Sequence, residues 1–176
     1  MEEYVIREVK IGDAERLAEI YSYYVKNTAI SFEYEAPSAS EFKERISHIK
    51  DKYPYLVCEK DGVVIGYIYA SAYSVRAAYS RTVTSSVYLD KDYRRRGIGR
   101  MLYKELEERL RSMGIVNLLA GAAYIEEEDE YLTNDSYRFH SKLGFEKVAH
   151  MKGVGIKFDR WYDLIWMQKK LISEGA

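Results

Sequence analysis

The stretch Val87-Tyr88-Leu89-Asp90-Lys91-Asp92-Tyr93-Arg94-Arg95-Arg96-Gly97-Ile98-Gly99-Arg100 gathers arginines and glycines between two patterned segments. An apolar run precedes it. Leu102, Leu106, Leu110 and Met113 follow at helical spacing, so the order is strand, glycine loop, helix. The first amides of a helix lack intrahelical partners and carry the positive end of its dipole. Gly97 and Gly99 let a ligand approach the backbone, and Arg94, Arg95, Arg96 and Arg100 add positive charge. A pyrophosphate fits such a place. Read alone, the loop is equally an ordinary solvated surface. Two rival phosphate motifs fail. No Lys-Ser/Thr follows the glycines at P-loop spacing, and the third glycine of a dinucleotide fingerprint would fall on Leu102.

The other reactive side chains are sparse. Cys58 is the one cysteine of 176 residues, so no intramolecular disulfide can form. It lies in a strand pattern, where a packed core thiol is the expected reading and a covalent nucleophile the alternative. His48, His140 and His150 are scattered, with no zinc spacing. Glu126-Glu127-Glu128-Asp129-Glu130 reads as a solvated loop, with a metal or cationic-substrate role as the alternative. Basic and acidic residues number 27 and 28, a net charge of −1, which argues against a nucleic-acid binder. Glu2, Glu3 and Arg7 occur early and no long apolar run is present, so neither a signal peptide nor a membrane span is expected, and a cytoplasmic protein is. The 18 tyrosines suit amphipathic packing at core edges, or an aromatic-lined pocket.

The elements that must position these groups follow in order. Tyr4 to Val9 alternates as a strand. Asp13 is a candidate N-cap for a helix to about Lys26, with Leu17, Ile20, Tyr21, Tyr24 and Val25 on one face. Ala29 to Ala36 is extended. Ser38-Ala39-Ser40-Glu41 has the form of a capping box ahead of Phe42, Ile46 and Ile49. Tyr55 to Glu59 and Val63 to Ala70 are strands joined at Asp61-Gly62, a hairpin signal. Arg81 to Leu89 is the next strand. Gly114 stops the helix after the glycine loop. Ile115 to Ala123 is a strand reached by a crossover, which suggests a parallel pair. Asn134-Asp135 can cap a helix holding Tyr137, Phe139 and Leu143. Phe145 to Val148 and Asp163 to Leu171 are the last strands, with Gly153 to Tyr162 between them as a glycine-broken aromatic loop. Residues 1–176 form one α+β domain with a mixed sheet.

This order, with Arg94-Arg95-Arg96-Gly97-Ile98-Gly99 after Ser86-Val87-Tyr88-Leu89 and the later Phe139-His140-Ser141-Lys142-Leu143-Gly144-Phe145, resembles the GNAT N-acetyltransferases. Within them it is most similar to the phosphinothricin acetyltransferase-like group. That likeness is carried by Tyr21 through Asn27-Thr28, by Phe139-His140, and by Gly155-Ile156-Lys157-Phe158-Asp159-Arg160-Trp161-Tyr162-Asp163 followed by Trp166-Met167-Gln168. The resemblance implies a mostly antiparallel sheet flanked by helices, with one splayed parallel pair. Acetyl-CoA would lie in the splay between Val87-Tyr88-Leu89 and the next strand near Leu118-Ala120. Backbone groups of Val87 and Leu89 would pair with the pantetheine, and amides from Arg95 to Arg100 would hold the pyrophosphate. Asn134 would bind the pantetheine or acetyl end. The resemblance further implies direct attack by a small amine of the phosphinothricin or methionine sulfoximine type, with Phe32, Glu33, Arg76 and Tyr79, and further Lys157, Arg160 and Trp161, on the substrate side. A homodimer follows by analogy.

The chemistry needs a proton acceptor for the amine, a donor for the developing oxyanion, for which the Leu89 amide is the family's choice, and a proton for the leaving thiolate. His140 stands where many members carry a tyrosine that protonates the sulfur; it either donates there or orders the helix and contacts the cofactor. Thr84 stands where the group carries a glutamate base. Three readings remain: a water wired by Thr84 and Ser86, a different carboxylate (Glu33 or Glu35), or an amine that needs no strong base. The alternative to an enzyme is an acyl-CoA-binding sensor, which Thr84 favours.

Overall fold

A computed structural model of the chain describes residues 4–172; Glu2 and Glu3 lie outside the described residues. Seven strands form one sheet: β1 (Tyr4–Glu8), β2 (Tyr55–Lys60), β3 (Val63–Ala72), β4 (Thr82–Leu89), β5 (Asn117–Tyr124), β6 (Glu146–Lys157) and β7 (Arg160–Lys170). Their order is β1-β2-β3-β4-β5-β7-β6. Every neighbouring pair is antiparallel except β4 and β5. The parallel pair is the one reached by a crossover, through α3 (Ile98–Ser112). The fold is the α+β arrangement that the resemblance implies.

Two helices cover one face of the first strands, α1 (Ala14–Asn27) and α2 (Ala39–Lys50). Leu17, Ile20, Tyr21, Tyr24 and Val25 of α1, with Phe42 and Ile46 of α2, pack on Val57, Val64 and Tyr67. On the opposite face, Ile98, Leu102, Leu106 and Leu110 of α3 meet Leu56, Ile65, Ile68 and Val83. The helix α4 (Asp135–Lys142) lies on this side and is anchored by buried His140. The α2 capping box forms as expected: Glu41 N donates 3.2 Å to Ser38 Oγ, and Ser38 N donates 2.7 Å to Glu41 Oε2. Asp13 makes no side-chain bond to α1. Its carboxylate takes Lys10 N at 2.7 Å and two bonds from Arg7.

Two stretches depart from the sequence reading. Gly153 to Tyr162 is no loop: β6 runs to Lys157 and β7 begins at Arg160, joined by a turn at Phe158 and Asp159, whose φ angles are 50° and 58°. The turn takes the left-handed backbone without glycine, so it carried no turn signal. A register shift between Met151 and Gly155 absorbs the glycines. The acidic run is also more than solvent-facing. Asp129 is 6% exposed at its side chain. It accepts from Tyr131 N, Leu132 N, Arg160 Nη1 and Tyr162 Oη, at 2.8, 2.7, 2.7 and 2.9 Å. This loop in turn holds the α1–α2 connection, where Ala29 N donates 3.0 Å to Tyr131 O. Ala29, Ala123, Leu132 and Tyr162 form a small third core beside it, with Ile30 and Phe32.

Candidate active site

The β4–β5 ladder is short. Its register runs from Thr82↔Asn117 to Ser85↔Ala120 and stops. Beyond it the strands diverge, and the gap opens at Gly121 rather than alongside Leu118 to Ala120, which are still paired. Ser85, Ser86, Val87 and Tyr88 line one side of this cleft, Gly121 and Ala123 the other; Ser136 and His140 of α4 add a wall. On its other edge β4 is paired with β3 throughout. There Tyr73 N donates to Thr82 O and Asp90 N to Ile65 O. Antiparallel pairing alternates, so the even-numbered residues bond β3, while the N–H and C=O of Val87 and Leu89 point into the gap. The Leu89 carbonyl accepts from Tyr24 Oη. The Val87 and Leu89 amides and the Val87 carbonyl are left facing the gap with no strand partner among the described residues.

The glycine loop lies at the mouth of this cleft's strand. Gly97 caps α3 with φ +82°, and a Cβ there would meet no atom within 4 Å. The amides of Ile98, Gly99 and Arg100 precede the first intrahelical bond, Met101 N to Gly97 O. Gly99 has a different reason to be small: a Cβ there would lie 2.9 Å from Phe139 Cζ, so it is the contact of α3 with α4 that excludes a side chain. Arg94 lies over the rings of Tyr23 and Tyr24, at 5.3 and 4.8 Å. Arg95 pairs with Asp135 at 3.1 Å, largely exposed. Arg96 donates to Asp92 O, and Arg100 is exposed.

On the α1–α2 face, a cavity of about 520 Å³ is walled by Tyr21, Phe42, Tyr55, Tyr67, Tyr69 and Tyr88, with Arg45 on its rim. Burial pushes the Tyr21 hydroxyl up to about 12 and holds those of Tyr55, Tyr67 and Tyr88 well above the ordinary range, so all stay neutral donors. Thr84 Oγ1 lies 2.9 Å from Ser71 Oγ, and Ser71 lines the cavity. Glu33 accepts from Arg45 Nη2 at 2.7 Å through Oε1. Its Oε2 is buried and has no hydrogen-bond partner among the described residues. Glu35 is exposed. Phe32 lies over Gly155, where a Cβ would come within 2.4 Å of its ring. Arg76 is exposed on the turn before β4, and Tyr79 packs edge-on against Tyr73 at 5.2 Å. Of the late-loop residues, Lys157 is buried, Arg160 is bound to Asp129, and Trp161 is exposed.

His140 closes a buried chain of hydrogen bonds. Its Nδ1 lies 2.7 Å from Ser136 O, which can only accept, so Nδ1 carries the proton. Nε2 then accepts from Tyr103 Oη at 2.8 Å, and Tyr103 Oη lies 2.9 Å from Ser85 Oγ. Burial pulls the imidazole down to about 4, so it is neutral at pH 7 and its single N–H is aimed at a carbonyl. Asn134 uses both side-chain polar atoms on one residue: Nδ2 donates 2.7 Å to Ile125 O, and Oδ1 accepts from Ile125 N at 3.2 Å. It ties the end of β5 to the start of α4 and makes no cap bond. Cys58 is fully buried, and burial pushes its thiol up to about 11; it is a core residue. Among the described residues no group of three His, Cys, Asp or Glu could hold a metal ion, and no helix is long and apolar enough to cross a membrane.

An open strand pair with unpaired backbone groups, ahead of a glycine-capped helix, suits acetyl-CoA, and known proteins match this chain along nearly its whole length. A phosphinothricin N-acetyltransferase of Alcaligenes faecalis is 34% identical over 167 residues, covering 94% of this chain and 82% of its own. The L-amino acid N-acyltransferase of Escherichia coli is 34% identical over 170 residues, covering 94% and 93%. The crystal structure of a GNAT-superfamily phosphinothricin acetyltransferase from Sinorhizobium meliloti in complex with acetyl-CoA superposes with a TM-score of 0.86, at 35% identity, covering 95% of this chain and 88% of that one. The acetyltransferase (GNAT) domain family matches residues 6–166. The chain therefore belongs to the GNAT acetyltransferases and is an acetyl-CoA-dependent N-acetyltransferase.

Proposed function

We propose that the chain acetylates the primary amine of a small, amino-acid-like molecule, of the phosphinothricin or methionine sulfoximine type, by direct attack. The observation that carries this reading is the place of Tyr88, the one residue among those described that lines both the cleft and the tyrosine-walled cavity. An acyl group in the cleft and an amine in the cavity converge there. The names of the relatives, which act on phosphinothricin and on L-amino acids, support the substrate class.

Acetyl-CoA supplies the activated acetyl group. The first amides of α3 and the arginines from Arg94 to Arg100 hold its pyrophosphate, aided by the open space over Gly97. The gap-facing groups of Val87 bind the pantetheine, and the Leu89 amide, its carbonyl taken by Tyr24, donates to the oxyanion as it develops. Glu33 takes the amine's proton through Oε2, while Arg45 holds Oε1. Thr84, a hydroxyl already bonded to Ser71, supports the end of the cavity and takes no proton. His140, neutral and bonded on both nitrogens, orders the cleft wall. Asn134 shapes the same wall by fixing Ile125. Phe32, over Gly155, and Tyr79, against Tyr73, line neither the cleft nor the tyrosine-walled cavity; exposed Arg76 is the guanidinium for the substrate carboxylate. We further read the chain as a cytoplasmic homodimer: β6 is an outer strand with Val148, Met151, Val154 and Ile156 exposed.

The test is thiol release from acetyl-CoA with phosphinothricin, methionine sulfoximine and the standard L-amino acids. Turnover on one or more of them is expected. Tight acetyl-CoA binding without turnover on any amine would favour the sensor instead. Light scattering in solution should report twice the chain mass; a monomer would remove the dimer.

A further inference from the structure

The segment that carries Glu33 is held from two sides. From within the helical layer, Tyr21 Oη lies 2.7 Å from Ser31 Oγ, and Glu33 N donates 3.2 Å to the same oxygen. From the other side comes the tip of the β6–β7 hairpin. Lys157 Nζ donates 2.7 Å to Ser31 O, Tyr34 Oη donates 2.6 Å to Ile156 O, and the Phe32 ring fills the space over Gly155.

Lys157 is the unusual member of this set. It is 5% exposed, and its ammonium is bonded to a neutral carbonyl, with no carboxylate at ion-pair distance among the described residues. A charge desolvated in that way is costly for a fold to keep. Burial lowers its affinity for the proton, and the one charge that counteracts this is Glu33. A lysine spent on the main chain two residues before a carboxylate, and sensing that carboxylate's charge, suits a role in placing it.

We propose that Lys157 is a positioning residue for acetyl transfer, fastening the Ser31–Tyr34 segment so that the Glu33 carboxylate stays aimed at the amine. The inference rests on Glu33 as proton acceptor. It extends the working site to a hairpin tip whose own residues touch neither the cleft nor the tyrosine-walled cavity.

The test is a double-mutant cycle on turnover, with acetyl-CoA and the best amine from the panel. Glu33→Gln should lower kcat about 100-fold, as loss of a general base does. Lys157→Met should lower kcat about tenfold through misplacement, with the KM for acetyl-CoA within about twofold of wild type because the cleft is untouched. In the double variant the Lys157 effect should vanish, since there is no longer a base to aim. Multiplying effects, or a Lys157→Met enzyme with full kcat, would overturn the proposal. Should Lys157→Met fail to fold, Gly155→Ala displaces Phe32 from the same segment and should show the same split; unchanged kcat in it would likewise overturn the proposal. A fully active Glu33→Gln enzyme would overturn the reading of Glu33 itself, a distinct result.

Discussion

A histidine with both nitrogens bonded is a poor acid at pH 7, and its burial has a cost that acid reveals. Between about pH 6.5 and 4 the unfolded chain binds a proton at His140 that the folded chain refuses. Stability therefore falls as pH is lowered through this window, by about 3 kcal/mol from this group alone. In urea titrations, His140→Gln should be less stable than wild type at pH 7, with a gap that narrows toward pH 4. A gap independent of pH would mean that the imidazole is not held neutral. Cys58 gives the opposite kind of prediction. Cys58→Ala should keep kcat within about twofold and lose about 1–2 kcal/mol of stability, and the native thiol should resist aromatic disulfide reagents until the protein unfolds; prompt labelling would contradict its burial. The buried Cys58 is legible in its strand pattern; the neutral His140 is not, since the resemblance gave it a position but not a protonation state. Glu33 was legible as one of two carboxylates, with Glu35. Its buried oxygen, without a partner among the described residues, appears only when Arg45 of α2 is brought against the other.

The glycine loop shows how an element can be read correctly for partly different reasons. Sequence pattern gives the strand, the loop and the helix. It gives Gly97 and Gly99 the same task, and packing separates them. Gly99→Ala drives a methyl into Phe139 and displaces α4, whose Ser136 and His140 wall the cleft. It should lose about 1–3 kcal/mol and raise the KM for acetyl-CoA several-fold. Gly97→Ala meets no neighbour but must hold φ +82°, at about 1 kcal/mol, and should disturb the KM less. Thermal melts and acetyl-CoA saturation curves decide; the reverse order in KM would point to ligand contact at Gly97. The hairpin of β6 and β7 was hidden for a physical reason. Its turn pair, Phe158-Asp159, begins with a residue that disfavours the left-handed backbone and has no glycine, and its glycines serve a bulge and the Phe32 ring instead. Asp61-Gly62 was legible because there the same left-handed geometry falls on residues that favour it.

At the scale of the whole molecule, the sheet divides the work. One face, with α3 and α4, carries the cleft and glycine loop; the other, with α1 and α2, carries the tyrosine-walled cavity. The order of strands and helices was sufficient to predict the parallel pair, because the crossover through α3 fixes it, but not which helices cover which face. The path that closes the site was not predicted, since the α1–α2 connection, the acidic loop and the hairpin tip are distant in sequence and meet only in three dimensions. The early end of the β4–β5 ladder has a consequence for protein handling. A sheet with a gap in its middle has an internal edge, open to any extended chain that can reach it, and such edges template aggregation. The amides of Val87 and Leu89 should exchange with deuterium far faster than those of the paired Val83 and Ser85, and saturating acetyl-CoA should slow them at least tenfold. The protein should then be least soluble when stored without its co-substrate and should keep best with coenzyme A in the buffer.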